Sequence, residues 1–313
     1  MRRRLRVLAL EADQFPNWWT KSAVTSAMSM VASRPDVVVL PMPQCTWTRR
    51  DFEAAARVAD ASRRPTVVYY PFDSWDDPAR GWQGPLHWRD RLRRYVARAD
   101  LVAGPQLPLE GGPRRTLALP YPPLVRRRSE PAATAATTWD VHFAGAYRDP
   151  GWAGSPVDTR DRRYRGHLVR RLREALPAER VVVRQAQYWA EPEVRRQLRR
   201  RYVHELDHSR IVLAPAGYGY LTFRHADGWA RGRAVLSEAL HRLVQVPEPE
   251  RWERGELCLL YDPAGDDVAD VVGAALARPD RLAAVARAGW EYGRCWTDPG
   301  AQATQLAATA AAL

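Results

Sequence analysis

The sequence predicts an α/β protein made of two halves, each built on a mostly parallel sheet. Three observations predict it. Short apolar runs alternate with stretches of helical periodicity, which is the rhythm of strands joined by covering helices. That rhythm stops at a run of small residues near residue 135 and then restarts. The length, 313 residues, suits two domains at roughly 150 residues each.

In the first half, Leu5–Leu10 (LRVLAL), Asp36–Leu40 (DVVVL) and Thr66–Tyr70 (TVVYY) read as strands, with Leu101–Ala103 and Thr116–Leu119 as weaker ones. Ser22–Ala32, Asp51–Ala61 and Trp88–Ala99 read as helices; the last sets Leu92, Tyr95, Val96 and Ala99 on one face. Ser129–Thr138 (SEPAATAATT) reads as a linker. The second half follows as strand Asp140–Ala144, helix Gly166–Ala175, strand Arg180–Arg184, helix Pro192–His208 and strand Arg210–Ala214. A glycine loop and a helix come next, then strands Ala234–Leu236 and Cys258–Tyr261, then two helices from Asp266 to about Gly289. No short repeat is present. The expected domains are 1–130 and 139–313, joined by a linker at 131–138. Two such halves across a cleft would receive ligands at the carboxyl ends of their strands.

Composition narrows the function. Hydrophobic residues make up 46% and charged residues 27%, ordinary globular values that argue against a disordered chain. The cysteines, Cys45, Cys258 and Cys295, are odd in number and far apart, which argues against a disulfide framework or a Cys-pair zinc site. No segment reaches the roughly 20 apolar residues of a membrane span. The run after Met1-Arg2-Arg3-Arg4 stops at Glu11, too soon for a signal sequence, so a cytoplasmic protein is expected. The net charge is +12. The arginines are scattered over the whole length and Lys21 is the only lysine. Such a surface suits anionic small molecules better than a nucleic-acid tract.

The most informative stretch is Ser209–Leu236, SRIVLAPAGYGYLTFRHADGWARGRAVL. A buried strand runs into Gly217-Tyr218-Gly219, and a helix opens near Thr222. Glycines admit a ligand close to the backbone, and the first helical N–H groups attract a phosphate. Arg224 would add a charged, bidentate hydrogen-bond donor. Asp227, three residues on, could accept a ribose hydroxyl. A plain strand–turn–helix with a capping Thr222 and an Arg224–Asp227 ion pair has the same local pattern.

This stretch resembles the donor-binding segment of GT-B glycosyltransferases, in particular the spore-maturation-type and exostosin-like group. That group reads roughly S-x-x-x-L-x-P-x-G-x-G-x-x-T-x-R-x-x-E-x-x-x-x-G. Ser209, Leu213, Pro215, Gly217, Gly219, Thr222, Arg224 and Gly232 match it. The acidic position falls on Asp227, a shorter carboxylate than the usual Glu. Val141-His142-Phe143-Ala144-Gly145 is similar to the group's F-x-G turn, and Cys258–Asp262 (CLLYD) to a later strand. The resemblance implies two Rossmann-like α/β domains facing a central cleft, and transfer of a sugar from a nucleoside-diphosphate donor to a hydroxyl or amine acceptor. It implies donor binding by Gly145, Arg148, Gly217, Tyr218, Gly219, Thr222, Arg224 and Asp227, with no bound metal and no cofactor beyond the sugar nucleotide. Arg224 and Arg148 would stabilise the leaving diphosphate. The alternatives are a sugar-nucleotide epimerase of the same shape, a non-catalytic nucleotide-binding protein and a nucleic-acid binder.

Other signals concern metal, base and acceptor. His204-Glu205-Leu206-Asp207-His208 is a literal H-E-x-x-H, the zinc-protease pattern. Helical geometry puts Leu198, Tyr202 and Leu206 on the buried stripe and both histidines on the far side, so a solvent-facing helix is expected. Asp73-Ser74-Trp75-Asp76-Asp77 has turn chemistry rather than D-x-D spacing. The segment Glu11–Lys21 leaves the carboxyl end of the first strand and carries Asp13, the adjacent Trp18 and Trp19, and Lys21. Trp18, Trp19 and Lys21 are the expected acceptor contacts, since flat rings with a polar edge suit a sugar face. Asp13 is the leading candidate for general base, ahead of Asp73 and His142.

Overall fold

The computed structural model describes residues 7–9, 37–41, 66–70, 100–105, 107, 109, 115–131, 137–145, 147, 160–185, 192–216 and 221–313. The chain divides into two compact units between Pro122 and Pro123, where the sequence reading put the change at 131–138. Val244–Pro247 and Cys295–Leu313 count with the first unit.

The first unit holds five parallel strands: β1 (Val7–Ala9), β2 (Val37–Pro41), β3 (Thr66–Tyr70), β4 (Leu101–Gly104) and β5 (Thr116–Ala118). They lie in sequence order, β1-β2-β3-β4-β5. Each coincides with an apolar run of the sequence, the pattern expected of strands in a parallel sheet. Among the described residues this sheet has no reversal of strand order. Its later strands are fastened by Gln245, whose N–H donates to Leu107 O (2.8 Å) and whose side-chain oxygen accepts from Thr116 Oγ1 (2.7 Å).

The second unit holds β6 (Trp139–Gly145), β7 (Val181–Gln185), β8 (Ser209–Leu213), β9 (Ala234–Glu238) and β10 (Leu259–Tyr261), all parallel. Their order is β10-β9-β8-β6-β7. The chain therefore leaves β6 for β7 on one side and returns to β8 on the other. That reversal at β6 is a topological switch point, and the crevice at the carboxyl ends of β6 and β8 is where such sheets bind ligands. The helices are α1 (Arg160–Ala175), α2 (Pro192–Asp207), α3 (Phe223–Ala230), α4 (Pro249–Glu253), α5 (Val268–Leu276), α6 (Pro279–Trp296) and α7 (Pro299–Ala311).

Strand alternation sorts the core. Val141, Phe143, Ile211 and Leu213 face one side and pack with Leu168, Leu172, Val268 and Val272. Val212 faces the other side with Leu206, Ala230 and Val125. The period of two makes this split automatic.

The carboxyl-terminal helices depart from expectation. The sequence reading stopped at Gly289, yet α6 runs through Gly289 and Gly293 to Trp296. A Cβ at Gly289 would lie 2.5 Å from Trp229 Cδ1, so glycine serves close packing there and does not end the helix. α7 adds a further helix, with Pro299 in its first turn and Asp298 accepting the Ala301 N–H at 3.0 Å. No helix among the described residues is long and apolar enough to cross a membrane.

Candidate functional site

The site is assembled at the carboxyl end of the second sheet, and its parts are local consequences of sequence. Thr222 is the N-cap of α3. Its N–H donates to His225 Nδ1 at 3.1 Å, so a histidine fills the place of the usual Glu in the capping box. With Nδ1 accepting, the ring proton sits on Nε2 and is donated to Ser237 Oγ at 2.8 Å. Burial lowers the His225 pKa to about 3 and keeps the ring neutral. The start of α3 is thereby pinned to β9.

Arg224 stands in that first turn. Its Nε donates to Ala144 O at the end of β6, and its guanidinium lies 5.2 Å from the centre of the Phe143 ring. A Cβ at Gly145 would come within 2.1 Å of Arg224 Nη2. Gly145 is therefore the space in which the guanidinium lies. The positive end of a helix and a guanidinium meet at the switch point, an arrangement whose charge suits an anion.

The neighbouring strand end is also fixed. After β8, the Ala216 N–H donates to Glu238 Oε1 (3.0 Å), and Ala216 O accepts from Arg165 Nε (3.1 Å). Both side chains are buried. They hold the residue that precedes the Gly217-Tyr218-Gly219 motif.

The structure brings together Gly145, Thr222 and Arg224 of the expected donor residues. It removes Asp227 from the ribose. That side chain is 1% exposed; Oδ1 accepts the N–H groups of Leu124 (2.6 Å) and Val125 (3.2 Å), and Oδ2 accepts Tyr202 O–H (2.8 Å). Its hydrogen bonds are committed within the protein. His142 is likewise no base for an acceptor. It lies mid-strand in β6, 1% exposed, under Tyr202 at a ring distance of 5.4 Å, and burial lowers its pKa. A base must reach the acceptor hydroxyl, and a ring sealed beneath α2 does not. Asp13, Trp18, Trp19, Lys21, Asp73, Arg148, Gly217, Tyr218 and Gly219 lie outside the described residues.

The sequence reading missed His225, Glu238 and Arg165. Glu238 had a signal, a carboxylate ending the apolar run Ala234–Ser237. Arg165 had none among 48 Lys and Arg residues.

The H-E-x-x-H segment closes α2, with His208 just past its last residue. His204 and His208 stack at 4.2 Å, with His208 Nδ1 2.8 Å from His204 O. Glu205 points the other way and is buried, accepting from Arg184 Nε (2.8 Å) and Arg201 Nε (2.8 Å), with His142 Nε2 at 3.8 Å. Among the described residues no group of three potential ligands is placed to hold a metal ion.

Burial raises the Glu205 pKa, but the nearby His142 ring and the hydrogen bonds from Arg184 and Arg201 outweigh it and bring the value from 4.5 to about 2. As the pH falls, the unfolded chain therefore takes up this proton first. Glu205 stabilises fully above about pH 4.5 and loses that contribution between 4.5 and 2. Arg184 and Arg201 are half exposed and screened by water, so the contribution is about 1–2 kcal/mol. Urea melts of wild type and Glu205→Gln should show a stability gap that narrows as the pH falls from about 5 to 3. A gap independent of pH would count against this assignment.

The family model described as "Glycosyl transferase-like" matches residues 130–307, which contain the whole of the site. The fold is similar to that of HepE from Anabaena. Against HepE in complex with UDP and glucose the TM-score is 0.53 at 13% identity, covering 94% of this chain and 81% of that one. Against HepE in complex with UDP-glucose it is 0.50 at 14% identity, covering 94% and 82%. At these identities the likeness concerns the fold, a GT-B-like α/β architecture with parallel sheets. No curated protein matches the sequence.

Proposed function

The chain belongs to the glycosyl transferase-like family, and from that premise we propose that it moves a sugar from a nucleoside-diphosphate donor to a hydroxyl or amine acceptor. The observation that carries this reading is Arg224 lying over Gly145 at the switch point. HepE, of similar fold, was solved with UDP and with UDP-glucose. Within the family, the match of Ser209, Leu213, Pro215, Gly217, Gly219, Thr222, Arg224 and Gly232 supports the spore-maturation-type and exostosin-like group.

The chemistry follows from charge. Breaking the bond between sugar and diphosphate leaves negative charge on the diphosphate. Arg224 and the N-terminus of α3 are fixed before the reaction, so they stabilise that charge without reorganising. Gly217, Tyr218, Gly219 and Arg148 are proposed to complete the phosphate cradle. No metal is proposed for the transfer, and activity should persist in EDTA; loss of activity in EDTA with recovery on added divalent cation would overturn this. A carboxylate of the first unit, Asp13 before Asp73, would take the acceptor proton. Trp18, Trp19 and Lys21 would hold the acceptor, and the reaction is proposed to be cytoplasmic.

A thermal-shift panel tests the reading. A ligand at 100 times its Kd stabilises by about 2.7 kcal/mol, so UDP, GDP or dTDP should raise the melting temperature. A shift with DNA or RNA alone would replace the reading with a nucleic-acid binder. Gly145→Ala should weaken nucleotide binding by about 1 kcal/mol, the scale of one net hydrogen bond, because the new methyl displaces the guanidinium. Isothermal titration on the variant checks this, and unchanged affinity would separate Gly145 from the site.

A further inference from the structure

Asp227 sits one turn after Arg224 on α3. Its three hydrogen bonds reach two other parts of the second unit: the backbone of Leu124 and Val125, and Tyr202 on α2. Leu124 and Val125 are the second and third residues past the division at Pro122. The carboxylate thus fastens the start of this unit to the helix that carries Arg224.

Further ties hold the same segment at other points. Arg231 Nη1 donates to Arg126 O (2.7 Å), and Arg128 N donates to Ala230 O (3.0 Å), both at the far end of α3. Arg199 Nη2 donates to Leu124 O (2.9 Å) from α2, and Arg127 Nη2 to Gly293 O (2.7 Å) on α6. The Val125 side chain is buried against Leu206, Val212 and Ala230. Of these ties to α3, Asp227 is the one nearest Arg224.

We infer that Asp227 is a positioning residue: by holding α3 to Leu124–Val125 it sets where the Arg224 guanidinium lies at Gly145, and so couples that segment to nucleotide binding. The inference rests on the reading of Arg224 as a donor-phosphate ligand. Coupling between two places is reciprocal. If the latch favours nucleotide binding, bound nucleotide must tighten the latch.

Amide hydrogen exchange of the full chain measures this at Leu124 and Val125, with UDP, GDP or dTDP at saturation. The expected result is a slowing of about fivefold or more in the wild type, the low end for coupled sites. Asp227→Ala should abolish the slowing and weaken nucleotide binding. Asp227→Asn should keep most of both. Its amide oxygen accepts the two N–H groups, and its NH2 donates to the Tyr202 oxygen. If Asp227→Ala does not fold, Tyr202→Phe removes one of the three bonds and should reduce the slowing in part.

Nucleotide binding without slowed exchange overturns the coupling and leaves the donor site standing. Equal loss of affinity in Asp227→Asn and Asp227→Ala also overturns it, because the charge itself would then meet the ligand. If none of the nucleotides binds the wild type, the donor-site reading fails and this inference fails with it.

Discussion

Arg224→Ala should weaken nucleotide binding by about 1.5–3 kcal/mol, the net worth of a hydrogen bond to a charged group, while leaving the fold intact. The side chain is half-buried and reaches across to β6 through Ala144 O and the face of Phe143. In the variant, water can take up that carbonyl, so the structural cost is small. The expected cost to binding is larger, because a diphosphate bound at the switch point would lose the guanidinium that lies over Gly145. Arg224→Lys divides the effect further. It keeps the charge but loses the planar fork, so it should recover part of the affinity and little of any bidentate geometry. Titration calorimetry with the best nucleotide of the panel measures all three proteins. Wild-type affinity in Arg224→Ala would take Arg224 out of the site and remove the observation on which the proposed donor reading stands.

The difference between Arg224 and Asp227 shows what a sequence makes legible. Both were visible as motif positions, and both are in α3. Glycine and strand-end position pointed to the crevice, and the parallel sheets followed from apolar runs such as Val37–Leu40 and Thr66–Tyr70. What decides the role of each charged residue is a partner far along the chain. Arg224 meets a carbonyl 80 residues away. Asp227 meets N–H groups 103 and 102 residues away, and no local spacing encodes them. His142 failed for a related reason. The strand was readable, and its alternation set His142 opposite Val141 and Phe143, but the cover over that face, Tyr202 of α2, comes from 60 residues along the chain. Glu205 is the mirror case. Its motif suggested zinc chemistry, whereas Arg184 from the neighbouring strand makes it an internal anion.

Asp13→Asn should lower turnover by about 10²–10⁴, the usual contribution of a general base, with nucleotide affinity unchanged. With His142 sealed under α2, the base is sought on the first unit. Its five strands are parallel, so their carboxyl ends share one side of the sheet, the side on which α/β sheets receive ligands. Asp13 follows the end of β1 at Ala9 by four residues, and Asp73 follows the end of β3 at Tyr70 by three. Asp13 also shares its segment with Trp18, Trp19 and Lys21, a composition suited to a sugar-like acceptor. The substitution is nearly isosteric and removes the charge, so a carboxylate needed only for shape would leave the rate alone. The measurement is kcat with a competent acceptor alongside Kd for the nucleotide. A large fall in kcat at constant Kd is the expected signature. Loss of both would make Asp13 a structural or donor-side residue. A normal kcat would pass the role to Asp73, for which Asp73→Asn must then show the same split.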